Sequence, residues 1–529
     1  MSTYNFSDLL QIVADTVPDR TALVHGAVEL TYTELSQFAD RIARVLVAKG
    51  VGANDNVGLQ LTNSPEYLAA FFGACRIGAV PFNVNYRYSS AELSYLYEDS
   101  QVKALLFDSE FSDDVKAACK QGSTPEVLLE VGGARLGENL TEILESVLPD
   151  IDAVRHDNDQ IIIYTGGTTG YPKGVIWPHK HLFFSALGGG GFFHADGAVT
   201  DPEELVGRVN DGMALTTMPL APLMHGAALW TSLIALFAGH KVILSNRTNF
   251  DANHAWQLIR DHQVSIVSIV GDAMALPLIE TLEQNRSKPV ADNWALDHLF
   301  SIGSGGAVFS ETLQQRFTAL LPNLFVMSSL GATETGTVGA SDVPTDEGIM
   351  RYAPRDDLSV IVDGRRLAER GEEGVLARSG MLPVGYFGDE KKTRESFLTI
   401  DGVQYALGGD AARLEEDSSI TVLGRGSMCI NSGGEKIFPE EVESTLKGYD
   451  AVDDVLVVGI PHEKWGQQVV AVYCANTDEV SEDDLRNFCR ASLAGYKVPK
   501  LFIRVEKVQR NVVGKPDYKW AKSVAEQLQ

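Results

Sequence analysis

Short apolar runs, separated by helix-length amphipathic stretches, constrain this chain more than any other feature. IIIY (161–164), KVILS (241–245), VSIVSIV (264–270) and LFSIG (299–303) read as buried strands, with helical stretches such as NHAWQLIRDH (253–262) between them. That alternation predicts an α/β body whose strands carry active-site loops at their ends. Upstream, TELSQFADRIARVLVAKG (33–50) predicts an amphipathic helix. Thr33 is placed as its N-cap, Leu35, Phe38, Ala39, Ile42 and Leu46 form the apolar stripe, and Gly50 ends it.

A length of 529 residues allows three or four folding units, or one large α/β body that absorbs two of them. With 71 acidic against 44 basic residues the net charge is −27, which argues against a nucleic-acid binder or an adhesin for anionic membranes. Small anionic ligands stay open, because a few lysines and backbone N–H groups can hold a phosphate. The five cysteines show neither metal-ligand spacing nor a disulfide framework. The first residues carry no secretory pattern, and AALWTSLIALFAG (227–239) is too short to cross a bilayer. A reduced, cytoplasmic setting without a transmembrane segment is the expectation; a homodimer is left open.

The texture changes near residue 420. A strand, a glycine-rich turn and a helix opening near Pro439 lead into DVLVVGI (454–460) and QVVAVYC (468–474). Then follow a capping box at Ser481–Asp484 and the strand LFIRVEKV (501–508). This predicts a compact α+β unit of roughly 100 residues that touches the larger body across a short junction.

TGGTTGYPKG (165–174) directly follows a strand. Its glycines let the main chain turn tightly and aim N–H groups inward. Thr165, Thr168 and Thr169 add hydroxyls, and Lys173 adds charge. The spacing fits neither the Walker P-loop nor the dinucleotide fingerprint. As a phosphate cradle the string resembles the signature of the adenylate-forming superfamily: acyl-CoA synthetases, carrier-linked adenylation domains and beetle luciferases. The resemblance spans roughly residues 20–520, with further blocks in the family's order.

That resemblance implies an α/β fold, with a large N-terminal body of sheets and packed helices (1–423), a hinge at 424–427 and a small mobile α+β domain (428–529). It also implies ATP, CoA and Mg²⁺ as cofactors and a small carboxylic acid as substrate. Thr165, Gly166, Gly167, Thr168, Thr169, Gly170 and Lys173 would cradle phosphate. His225, in MPLAPLMHGAAL, would lie by the acyl pocket, and Gly305, Gly306 and Ala307 would line the adenine site. In SSLGATETG (328–336), Thr333 would contact the α-phosphate and Glu334 would hold Mg²⁺, since a carboxylate beside a nucleotide needs an intervening cation. Asp410 would grip the ribose and Arg425 would reach the nucleotide; Ser432, Gly433 and Gly434 would line a pantetheine tunnel. Lys515 would enter the adenylation site.

The chain departs from the family pattern at several places, among them Ala406 and Gly409 in YALGGD (405–410), which replace commoner family residues. Leu330 stands where an adenine-stacking aromatic is usual, Ser427 where the hinge usually has Asp or Lys, and Pro516 where a branched aliphatic often follows the lysine. Gly331, where acetate-specific relatives carry Trp, implies an acid longer or broader than acetate. GGGGFF (188–193) reads either as pocket wall or as an ordinary loop. The blocks CINSGGEKIFPEEVE and GKPDYKWAK are similar to the bacterial branch acting on steroid side-chain, ring-derived or medium-to-long fatty acids. The expected reaction is carboxylic acid, ATP and CoA to acyl-CoA, AMP and diphosphate. Transfer to a separate carrier protein, or a nucleotide-sensing pseudoenzyme, are the alternatives.

Overall fold

The computed structural model describes residues 2–528 except 167–170, 289–293, 307–308, 310, 342–349, 426–429, 438, 478–479 and 510–516. Two eight-stranded sheets form the centre of the large body. The first runs, edge to edge, through Gly336–Ala340, Phe325–Ala332, Ser301–Gly305, Ile266–Ile269, Thr216–Pro219, Lys241–Leu244, Thr21–His25 and Val28–Thr31. Its six inner strands are parallel and its two edge strands antiparallel to their neighbours. Helices on both faces bury such strands, so their sequences read as short unbroken apolar runs.

The second sheet carries the strand Gln160–Gly166 beside Val80–Asn83 and Pro172–Pro178. One continuous core joins the helices Phe6–Thr16, Tyr32–Ala48, Pro65–Arg76 and Gly226–Phe237 to these strands. A third, antiparallel sheet spans residues 351–425. The first helix expected from sequence is present, but its cap is Thr31, not Thr33. Thr31 accepts from Glu34 N while the Glu34 carboxylate accepts from Thr31 N. That reciprocal box outcompetes a lone hydroxyl two residues later.

After residue 430 a five-stranded sheet takes over. Along Val452–His462 and Gly466–Ala475 successive residues alternate between two cores. Val455, Val457, Val469 and Ala471 face the helices Pro439–Lys447 and Glu482–Ser492, while Leu456, Val458, Val470 and Val472 face the helix Tyr518–Gln527. Burial on both faces explains why DVLVVGI and QVVAVYC lack polar alternation. The molecule is thus a large α/β body with a smaller α+β domain. Among the described residues no helix is long and apolar enough to cross a membrane, and Cys75, Cys119, Cys474 and Cys489 are free thiols.

Candidate active site

The glycine–threonine string joins two antiparallel strands, with Thr165 opposite Lys173 and Gly166 opposite Pro172. Gly167, Thr168, Thr169 and Gly170 lie outside the described residues. Lys173 Nζ pairs with Asp389, the N-cap of the helix Glu390–Ser396. That ammonium, together with the Lys392 N–H, holds the Asp389 carboxyl below the usual carboxylate range.

The strand Phe325–Ala332 folds back through 333–335 into Gly336–Ala340, and three distant side chains fix this arch. Trp177 Nε1 donates to Thr333 O at 2.8 Å. Arg378 Nη1 donates to Ser185 O, Thr335 O and Thr337 O, each at 2.8 Å. The Tyr386 hydroxyl donates to Glu334 Oε1 at 2.5 Å, so burial and the facing carboxylate both push the phenol well above its usual range. None of these three supports belongs to a motif recognised in the sequence. Mg²⁺ commonly takes one or two protein carboxylates, with phosphate oxygens and waters completing its shell. Glu334, anchored through one oxygen, fits that role.

In front of the arch opens a cavity of about 1100 Å³. Its floor is one face of the first sheet, where Ser301, Gly303 and Gly305 alternate with the core residue Ile302. Facing them is the helix Gly226–Phe237, which lends Ala227, Trp230, Thr231 and Ile234 while its Leu229, Leu233 and Phe237 enter the core. A Cβ added at Gly303 would meet only Met327 Cε, at 3.7 Å, so the floor is open there. At the far end Phe300 and Phe325 stack with centroids 6.4 Å apart and remain exposed. Phe192 and Phe193 line the cavity, so GGGGFF contributes pocket wall.

Gly331 carries a constraint beyond the open floor expected there. Gly331 borders the cavity, but a Cβ there would lie 2.8 Å from Gly336 O and 3.3 Å from Thr337 Cα. Glycine at this position admits the neighbouring strand at a register shift. At Gly303 and Gly305 the floor is open to a side chain as well as to a ligand.

The small domain closes the opposite side. Ser432, Gly433 and Gly434 border the cavity, as do Lys464, Trp465, Tyr496 and Lys500. Gly433 (φ +61°) has room only for hydrogen, since a Cβ would sit 2.9 Å from the Trp465 ring. At Gly434 (φ +86°) a Cβ would lie 2.6 Å from Val270 of the large body. Next to them, buried Glu435 accepts from Arg87 at 2.6 Å and pairs with His225 Nε2 at 3.2 Å. Burial would raise its pKa, but His225 and Arg87 outweigh that and hold the carboxyl well below its usual range.

Residues 10–384 match the AMP-binding enzyme family and residues 441–515 match its AMP-binding enzyme C-terminal domain. The chain belongs to the AMP-binding enzyme family. Among its relatives is the medium/long-chain-fatty-acid–CoA/3-oxocholest-4-en-26-oate–CoA ligase of Mycolicibacterium smegmatis, 40% identical over 99% of this chain and 97% of that protein. The 3-oxocholest-4-en-26-oate–CoA ligase of Rhodococcus rhodochrous is 38% identical, over 98% and 95% of the two chains. Among solved structures, a Bacillus subtilis o-succinylbenzoate CoA synthetase double mutant with a bound product analogue superposes with a TM-score of 0.79. It is 25% identical and covers 97% of this chain and 98% of its own. A Mycobacterium tuberculosis fatty acyl CoA synthetase gives 0.66 at 27% identity, covering 99% of each chain.

Of the residues that the family resemblance singles out, Thr165, His225, Gly305, Gly306, Leu330, Gly331, Thr333, Ser432, Gly433 and Gly434 all border this one cavity. Leu330 also packs against the core of the third sheet. Lys173, on the 160–178 hairpin, and Glu334, in the arch, stand beside the cavity rather than on its lining. Asp410 is buried behind the arch, opposite Arg425 in register, and does not border the cavity. Ala307, Ser427, Lys515 and Pro516 lie outside the described residues.

Proposed function

We propose that the chain is an ATP-dependent acyl-CoA synthetase. It joins a medium- or long-chain fatty acid, or a ring-bearing acid of the steroid side-chain type, to CoA, through an acyl adenylate and with release of AMP and diphosphate. The observation that carries this reading is the single cavity shared by three partners. A glycine- and serine-built floor under apolar walls leads from Phe300 and Phe325 to the Thr333 arch, where the 432–434 turn meets it from the small domain. An enzyme that adenylates an acid and then offers it to a thiol needs those three surfaces to converge.

A carboxylate is a weak electrophile, and coupling it to AMP supplies a leaving group. In the first step the acid's oxygen attacks the α-phosphorus and diphosphate departs. Negative charge on the phosphate oxygens is met by Thr169, Thr333 and Lys515, with Thr165, Gly166, Gly167, Thr168, Gly170 and Lys173 guiding the departing phosphates. Mg²⁺, held by Glu334, supplies further charge neutralisation when bound. Lys173 must exchange Asp389 for phosphate, a swap of one anion for another. Asp410 and Arg425 serve the ribose side, and Gly305, Gly306, Ala307 and Leu330 the base.

In the second step the CoA sulfur attacks the acyl carbon and AMP leaves. The turn 432–434 walls the thiol's path, and the Glu435–His225 pair fixes the imidazole beside the acyl carbon. Trp465, with Lys464 4.8 Å over its ring, and Lys500 offer an aromatic face and two cations for the outer, phosphate-bearing part of CoA. Residues 428–529 turn about 424–427 between the steps.

Incubating the protein with ATP, Mg²⁺, CoA and a panel of fatty and steroid side-chain acids, and resolving products by chromatography, tests the proposal. AMP and acyl-CoA should form in equal amounts. AMP without acyl-CoA would redirect the thiol step to a carrier protein, and nucleotide binding without acid-dependent diphosphate release would reject catalysis.

A further inference from the structure

Lys497 belongs to the small domain and has no part in the cavity lining. Its side chain is 2% exposed and its ammonium donates to Glu92 of the large body at 2.6 Å and to Glu441 of its own domain at 2.8 Å. Glu92 is equally buried. The rings of Tyr88 and Tyr496, one from each body, stand 5.4 and 5.8 Å from the same Nζ, and both rings border the cavity. The buried cation therefore sits directly behind the wall of the thiol path. Around it Ala494 inserts into a large-body core with Tyr88 and Leu93, and Ser89 Oγ donates to Ser492 O at 3.2 Å.

A permanent interface would leave each buried charge stranded on separation. Here each side keeps a partner. Glu92 closes the capping box of the helix Ser90–Asp99, accepting from Ser89 N and Oγ through Oε2, so only Oε1 is committed across the boundary. Lys497 likewise retains Glu441. The contact is built to be made and broken.

We infer that the Lys497–Glu92 pair is a positioning latch that holds the small domain in the orientation for thioester formation and is released for adenylate formation. This rests on the two-step reading above. Its logic is a population bias: a contact present in one orientation only can shift the balance by no more than its own differential free energy. Removing the ammonium would leave the buried Glu92 carboxylate at the boundary with no cation beside it, which disfavours closure.

The test measures the half-reactions separately in the full-length protein and in the Lys497→Met, Glu92→Gln and double variants. Acid-dependent ATP–diphosphate exchange should stay within about twofold, while conversion of supplied acyl adenylate to acyl-CoA should fall about tenfold in each single variant. The double variant should be no worse than the poorer single one, because both changes remove the same contact. In parallel, amide hydrogen exchange in segments 86–100 and 490–500 should accelerate in every variant without substrates present. Equal losses in both half-reactions, multiplicative losses in the double variant, or unchanged exchange would each overturn the latch. If the unmodified protein turns adenylate over with no CoA thioester, the CoA reading fails, and the exchange data alone decide the latch.

Discussion

Closing the cavity part-way along its floor should shift the proposed synthetase's preference toward shorter acids, and Gly303→Leu is the perturbation the geometry selects. Gly303 is opposite Met327, four residues before Gly331 on the neighbouring strand. At about 3.3 Å per residue this puts the blockade roughly 13 Å from the Gly331 end. An extended acyl chain advances about 1.3 Å per zigzag bond of roughly 1.5 Å, so about ten bonds fit in front of it. Octanoate should clear the new side chain; hexadecanoate should lose the burial of some six methylenes. At about 0.8 kcal/mol each that is about 5 kcal/mol, or roughly three orders of magnitude in kcat/KM.

The variant should also fold, because a Cβ at 303 has only Met327 Cε near it and strands favour branched apolar residues over glycine. The assay is acid-dependent diphosphate release across saturated acids from six to eighteen carbons, with the thermal midpoint recorded alongside. A uniform loss at every chain length, or full retention of hexadecanoate turnover, would refute the placement of the channel.

Three further outcomes follow from the same structure. Gly331→Trp should lower soluble yield and thermal midpoint instead of shifting the acid preference, because its Cβ meets Gly336 O at 2.8 Å; a stable variant that prefers short acids would show the floor to be at 331 after all. Burial pushes the Glu441 carboxyl up to about 7, against the opposing pull of Lys497, from an ordinary 4.5. The stability this raised pKa confers is complete below about pH 4.5 and lost as pH rises through about 7; at about 1.4 kcal/mol per unit the loss is about 3–4 kcal/mol. Glu441→Gln should therefore match the parent's melting midpoint near pH 4.5 and exceed it at pH 8, and a constant offset across that range would contradict the assignment. Lys515→Ala should nearly abolish ATP–diphosphate exchange yet spare thioester formation from supplied adenylate; equal loss of both would remove the lysine from the first step.

What could be read in the sequence was what lies contiguous along it. TGGTTGYPKG, GATETG and the 432–434 turn are short strings whose chemistry is local, and the apolar runs report strands buried on both faces. Contacts between remote residues left no such trace. Arg378 ties two carbonyls of the arch and its hairpin to Ser185 O, Arg87 reaches Glu435 across 348 positions and Lys497 reaches Glu92 across 405. An arginine or lysine destined for burial looks the same in a sequence as one destined for solvent. Gly331 adds a constraint that its family position does not reveal. A family position predicts which residue borders a pocket, but only the register shift beside it determines where a Cβ would point.

The arrangement of the small domain bears on why one active site would need two orientations. Its sheet is covered on both faces, and the elements that serve the two steps emerge from different parts of it. The 432–434 turn follows a strand whose Ile430 packs with the helix Pro439–Lys447. Gln509 and Asp517, which bracket Lys515 and are joined by the Asp517 N to Gln509 O hydrogen bond at 3.2 Å, lead into the helix on the other face. In this structure the turn borders the cavity, whereas Gln509 and Asp517 do not. On the two-step reading proposed above, a rigid helix–sheet–helix domain with these parts on different faces would present only one of them to the arch at a time. Gly434 against Val270 and Lys497 against Glu92 make contacts of the kind that would have to separate whenever the other part is brought in. The order of the proposed chemistry would then be a consequence of packing. Adenylation and thiol attack would exclude one another in time because the segments proposed to promote them would exclude one another in space.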